Sequence, residues 1–367
     1  MNKQVALVAT FVVWVTLACN ALSPAAPQIE TPPTPQESAP AEEAAPTEAD
    51  APEATEATES NVEPTTEPQS AEGAFNPDPP DHPVKLIFIH HSSGENWLSD
   101  GSGGLGIALR DNNYFVSDTN YDWGPNDSDL DGPIGSYTDI GNWWNWFLSP
   151  NRDAVMEAVF NESERHADYS RLADDPGGEN EIVMFKSCFP NSGLYGSPDD
   201  PPTVGDNPLF GQDSGSEFHS VASAKGIYVE LLKYFSTRPD KLFIVVTAPP
   251  LHENSTSPEG AANARAFNRW LVNDWLKDYP LNNVAVFDFY NVLTSNGSDP
   301  DTNDVDAETG NHHRYRDGQI EYITDQAGDY SAYATPDDSH PTAAGNQKAT
   351  AEFVPILNIV YHWWKGD

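Results

Sequence analysis

Basic residues are scarce in this chain: 18 Lys and Arg stand against 57 Asp and Glu in 367 residues, a formal net charge of −39. None at all occurs between Lys3 and Lys85. A surface so acidic is repelled by nucleic acid and by anionic membrane, which excludes both as partners met through charge. Cysteine is nearly missing too, with Cys19 and Cys188 alone, so no disulfide framework holds the fold. No apolar run reaches the ~20 residues of a membrane-spanning helix. His-x-x-x-His and Cys-x-x-Cys are also absent, leaving a zinc hydrolase without its usual ligand spacing. The adjacent His90 and His91 leave a strand on opposite faces and do not readily share one ion.

What is present divides the chain in three. Lys3 precedes an apolar run from Val5 to Ala18, and Cys19 follows small residues. This is the pattern of an export signal, 1–19, of lipoprotein type, with Cys19 as the acylated residue. The expected location is extracytoplasmic, lipid-anchored at the cell surface or otherwise secreted, with the membrane touched only through that anchor. Residues 20–81 are rich in Ala, Pro, Glu and Thr and poor in aromatics. Such a segment buries too little apolar surface to offset its conformational entropy and reads as a disordered, extended stalk. Residues 82–367 hold nearly all the aromatic side chains and form one domain.

Within that domain, short apolar runs alternate with helical patterns. Val84–His90, Tyr114–Asn120, Ile182–Lys186, Lys241–Thr247 and Val284–Phe289 read as strands. Helices are expected over Leu105–Asn112, Arg152–Arg165, Phe218–Phe235, Ala261–Lys277 and Ala343–Trp363, and Gly94–Gly103 reads as a loop. Non-alternating apolar strands separated by helices imply a parallel sheet covered on both faces. The fold class is therefore α/β: a three-layer α/β/α, flavodoxin-like architecture with a five-stranded parallel sheet, in which ligands lie at the carboxyl ends of the strands.

Chemistry-bearing residues fall at those ends. Ser92 follows the first strand in His90-His91-Ser92-Ser93, and Asp337-Asp338-Ser339-His340-Pro341 directly precedes the last helix. A serine hydroxyl becomes nucleophilic when an imidazole takes its proton, and the imidazole needs an acceptor on its other nitrogen. Asp337, three residues before His340, is the expected acceptor, with Asp338 the closer neighbour. Acyl transfer also needs oxyanion donors; Gly124 after the second strand and the Asn191 carboxamide after the third are candidates beside the Ser92 N–H. This order, with Ser after strand one, Gly after strand two, Asn after strand three and Asp-x-x-His before the last helix, resembles the SGNH (GDSL-type) hydrolase superfamily over about residues 84–362. The resemblance implies a serine esterase with Ser92 as nucleophile, Asp337 and His340 completing the triad, and Gly124 and Asn191 in the oxyanion hole. Its motif differs here in carrying His90-His91 before the serine.

Further expectations concern the substrate. The run Gly141-Asn142-Trp143-Trp144-Asn145-Trp146-Phe147 sets indoles among amides, so Trp143 and Trp146 are candidates for stacking on a sugar ring, against the plainer reading of core packing. His313 is a candidate cleft residue. A small ester or glycan is the expected partner, carbohydrate esters first. A surface glycan-binding lipoprotein without catalysis is the alternative, and a metal-dependent phosphoesterase built on the histidine and aspartate loops is a third. No cofactor is required for the esterase. Asp127-Ser128-Asp129-Leu130-Asp131-Gly132 copies the first half of a calcium loop, making Asp127, Asp129 and Asp131 candidate calcium ligands.

Overall fold

The computed structural model describes residues 75–324 and 328–367. The expected export signal, Cys19 and most of the expected stalk lie outside the described residues. Along the chain run β1 (Val84–Ile89), α1 (Ser92–Leu98), α2 (Leu105–Asp111), β2 (Tyr114–Thr119), the short β3 (Asn126–Asp127) and β4 (Gly132–Pro133), α3 (Trp143–Phe147) and α4 (Arg152–Asn161). Then come β5 (Ile182–Lys186), α5 (Val221–Phe235), β6 (Leu242–Val246), α6 (Pro258–Asn273), β7 (Val284–Phe287), α7 (Phe289–Val292), β8 (His312–Arg316), β9 (Gln319–Ile323) and α8 (Ala343–Lys365).

The central sheet is five-stranded and parallel throughout, in the order β2-β1-β5-β6-β7. Alternate residues of each strand enter two separate cores. Ile87, Ile89, Val183, Phe185, Phe243 and Val245 pack beneath α3 to α6. Leu86, Phe88, Ile182, Met184, Leu242 and Ile244 face α1, α2 and α8 on the other side. Burial on both faces is why these strands read as unbroken apolar runs. The order places the topological switch point between β1 and β5, where chain connections leave in opposite directions and open a crevice. Ile89 pairs with both Thr119 and Phe185, so β1, β2 and β5 end level and deliver their following residues side by side.

Three elements differ from expectation. The expected loop over 94–103 is largely helix and turn, because α1 begins at Ser92 itself. Ser-Ser-Gly is a poor helix start by propensity. Tertiary anchoring overrides it: Trp97 and Leu98 are fully buried, and the Trp97 indole donates to Thr350 Oγ1 of α8 at 2.9 Å. Helix α6 starts at Pro258, with Ser257 as its N-cap accepting from Gly260 N–H at 3.0 Å, a Ser-Pro signal just upstream of the expected start. A hairpin, β8–β9, precedes the last helix and turns at Asp317-Gly318, both at positive φ. Its His312 Nδ1 meets Glu352 Oε1 of α8 at 2.8 Å, both side chains fully buried.

At the other end, residues counted with the stalk lie on the domain. Pro77 O accepts from Asn358 Nδ2 at 2.8 Å, Asp78 O from His362 Nε2 at 3.0 Å, and Pro80 O from Asn113 Nδ2 at 2.7 Å. No helix among the described residues is long and apolar enough to cross a membrane.

Candidate active site

Ser92 opens α1 immediately beyond β1, at the switch point. The preceding residue, His91, is extended and its carbonyl accepts the N–H groups of Gly94 and Glu95 at 2.8 and 3.0 Å. The N–H groups of Ser92 and Ser93 stand ahead of the helical ladder, where the backbone supplies no acceptor. The turn is braced from behind by His90, whose Nδ1 lies 2.9 Å from His91 O and whose Nε2 lies 3.1 Å from Asp118 Oδ2 of β2. Both ring nitrogens therefore face oxygens, and both side chains are fully buried. Burial raises the Asp118 carboxyl, but hydrogen bonds from His90, His166 N–H and the Tyr169 hydroxyl outweigh it and hold its pKa below the usual value. Gly94 is required here because a Cβ would lie 2.4 Å from that of His90.

Ser92 Oγ lies 2.7 Å from His340 Nε2, across 248 residues of sequence. The carboxylate behind the imidazole is Asp338, not the expected Asp337. Asp338 Oδ1 stands 2.6 Å from His340 Nδ1 and also accepts the His340 backbone N–H at 3.0 Å. That second bond is an Asx turn, in which an aspartate naturally reaches the N–H two residues on. Reciprocal backbone bonds between Thr335 and Asp338, at 3.0 and 3.2 Å, close the preceding turn and leave Asp337 exposed at its corner. The His340 segment is pinned where His252 N–H donates to Ser339 Oγ at 3.2 Å, and the Phe189 ring packs edge-on to the imidazole at 4.8 Å. Ser92, His340 and Asp338 thus stand in one hydrogen-bonded line at the rim of the sheet.

The expected oxyanion donors are placed otherwise. Asn191 is buried, and its amide donates to Asp139 Oδ1 at 2.6 Å and Cys188 O at 3.2 Å while its oxygen accepts from Ile140 N–H at 2.8 Å. With both amide hydrogens engaged it braces two loops and offers no donor to a ligand. Gly124 sits exposed in a turn at φ +85°, against Ile134. The glycine that the turn before Ser92 meets is Gly135, whose carbonyl lies 2.7 Å from His91 Nε2. A Cβ there would fall 2.4 Å from Asn120 O at the end of β2, so only glycine allows the approach. Burial lowers the His91 imidazole to about 4 against the bond to Gly135, and its ring stacks on Tyr121 at 4.0 Å.

Trp143 and Trp146 are fully buried, correcting their expected contact with sugar. Their indoles donate to Ser187 Oγ at 3.1 Å and Tyr137 O at 2.6 Å, and both belong to the core under α3 to α6. His313 is also interior. It lies on β8, stacks on Phe287 at 5.4 Å, and its Nδ1 accepts the Asp288 N–H at 3.0 Å, which leaves no face for a ligand. Asp127 and Gly132 pair across the β3–β4 hairpin, so the Asp127, Asp129 and Asp131 segment is a hairpin turn without flanking helices. Among the described residues no three His, Cys, Asp or Glu side chains group so as to hold a metal ion.

Burial lowers the His313 imidazole to about 4. Between pH 6.5 and 4 the unfolded chain binds a proton that the folded one refuses, so stability falls as pH drops through that window, by about 3 kcal/mol for the full shift. His313→Gln is expected to flatten the acid limb of the melting temperature over that range, whatever its own melting point at pH 7. Thermal melts at four or five pH values read this directly, and an unchanged slope contradicts it.

No family profile and no curated protein matches the chain. Among solved structures, a crystal structure is similar at 13% identity and a TM-score of 0.32, the alignment covering 74% of this chain and 94% of the other. At that TM-score the likeness carries no argument.

Proposed function

We propose that this chain is an extracytoplasmic serine esterase of SGNH type that works through an acyl-enzyme on Ser92. The observation that carries the reading is the line Ser92 Oγ–His340 Nε2 at 2.7 Å and His340 Nδ1–Asp338 Oδ1 at 2.6 Å, set at the switch point of the sheet. His340 takes the Ser92 proton as Oγ attacks the ester carbonyl. Asp338 holds the imidazole with Nε2 free to accept and offsets the charge it gains. The oxyanion forms against the N–H groups of Ser92 and Ser93 at the start of α1. His340 then protonates the leaving alcohol, and a water activated by the same imidazole cleaves the acyl-enzyme. The proposed route needs no metal.

The substrate class is a small ester, with carbohydrate esters proposed from the expected surface location. The indoles that suggested sugar stacking are core residues, which weakens the glycan-binding alternative as well. Tyr121 over His91 and Phe189 against His340 are the aromatic groups beside the reactive line. A fluorophosphonate probe tests the reading: labelling of the full chain at Ser92, lost in Ser92→Ala, is expected. A folded protein that takes no label, or takes it elsewhere, sinks the esterase. Glycan binding by that unlabelled protein would instead favour a receptor.

A further inference from the structure

Buried lysines in this domain nearly all meet carboxylates. Lys85, Lys241 and Lys348 pair with Asp175, Glu179 and Asp304, and Lys225 lies in the field of Asp199, Asp200 and Asp274. Lys186, the last residue of β5, is different. It is fully buried, and among the described residues it makes no ion pair. Its ammonium donates to Ser93 Oγ and to Ser187 O at 3.2 Å and lies 5.9 Å over the Phe289 ring.

Donor logic then fixes a direction. An ammonium only donates, so Ser93 Oγ accepts from it, and the Ser93 hydroxyl hydrogen turns to Cys188 Sγ at 3.4 Å. The Cys188 S–H in turn faces Ser92 Oγ at 3.7 Å, while the Ser92 hydroxyl is given to His340 at 2.7 Å. Every donor in the line Lys186–Ser93–Cys188 points toward the nucleophile.

We propose that Lys186 is a positioning residue that stabilises negative charge on Ser92 Oγ and on the oxyanion that follows, acting through Ser93 and Cys188. The proposal rests on the esterase reading above. When the Ser92 proton passes to His340, the three donors keep their own protons and no group has to move. A fixed cation in a dry interior acts far more strongly on that charge than it would in water. A methionine of similar shape would avoid the burial cost, so packing alone does not account for the charge.

Burial pushes the Lys186 ammonium down to about 8, with Cys188 opposing. The titratable groups facing it are Cys188 from its own strand end and His91 ahead of α1; α1 itself presents the Ser93 hydroxyl and α7 the Phe289 ring. Above pH 8 the cation is lost, so its assistance fades in the alkaline range.

The experiment is the pH dependence of fluorophosphonate labelling of Ser92, resolved into the saturating rate and the half-saturating probe concentration. In the parent chain the saturating rate should fall as pH rises through 8. Lys186→Met is expected to react about tenfold more slowly at pH 7, with half-saturation changed less than twofold and no alkaline decline. Ser93→Ala, which keeps the lysine but breaks the line, should move the rate the same way. A folded Lys186→Met with the parent's rate and profile overturns the proposal. Should that variant not fold, an unchanged rate and profile in Ser93→Ala overturns it equally. A parent chain that takes no label refutes the esterase reading and this proposal with it, whereas normal labelling in parent and variants refutes this proposal alone.

Discussion

Ser92→Ala is expected to lower turnover of a short-chain aryl acetate by at least about 10⁴-fold, since removing a nucleophile that acts as a unit with its base costs nearly the whole of the covalent route. The fold should be kept. The Ser92 hydroxyl bonds only His340 and, weakly, Cys188, while α1 is anchored by Trp97 and Leu98. Alanine is at least as good a helix former at that position, so the change in stability should stay within about 1 kcal/mol. Steady-state rates beside a thermal melt decide the matter. A variant with unaltered turnover would remove Ser92 from the chemistry, however well placed its hydroxyl.

The second large effect separates two neighbouring aspartates. Asp338→Asn should reduce the rate on the order of 10²- to 10³-fold, because an amide at Oδ1 no longer favours the tautomer with Nε2 free to accept. The loss of ~10⁴ seen when a buried triad aspartate is replaced is an upper bound. Asp338 is 58% exposed, so solvent already shares its field. Asp337→Asn, on the exposed corner of the same turn, should stay within about twofold of the parent. Rates for the two variants under one set of conditions read the contrast, and the reverse ranking would restore the three-residue spacing expected from sequence.

That pair also marks where the sequence stops being readable. The sheet was legible because strands buried on both faces cannot alternate, and all five expected strands occur. Ser92 and His340 were legible because both sit next to regular elements whose ends the sheet brings together. Asp338 was not: a three-residue separation fits a general turn, whereas the actual Asx turn with reciprocal Thr335–Asp338 bonds is a property of local backbone geometry. Trp143 and Trp146 failed for another reason. Composition marks a cluster of indoles but says nothing of which way it faces, and here it faces the core. Asn191 and Gly124 occupy expected places in the chain, yet loop packing spends the amide on Asp139 and gives the close approach to Gly135. The Asp317-Gly318 turn of the β8–β9 hairpin was a signal that could have been read. The Lys186 line had none, since nothing in the sequence ties a strand-end lysine to a serine 93 residues earlier.

Helix α8 leaves the rim of the sheet at its Thr342 cap and runs to Lys365. The residues that hold Pro77 and Asp78, Asn358 and His362, lie about 24 to 30 Å along it at 1.5 Å per residue. The Pro77 and Asp78 carbonyls therefore clamp the far end of α8, and loosening them would fray its last turns while the Ser92–His340 contact stays in place.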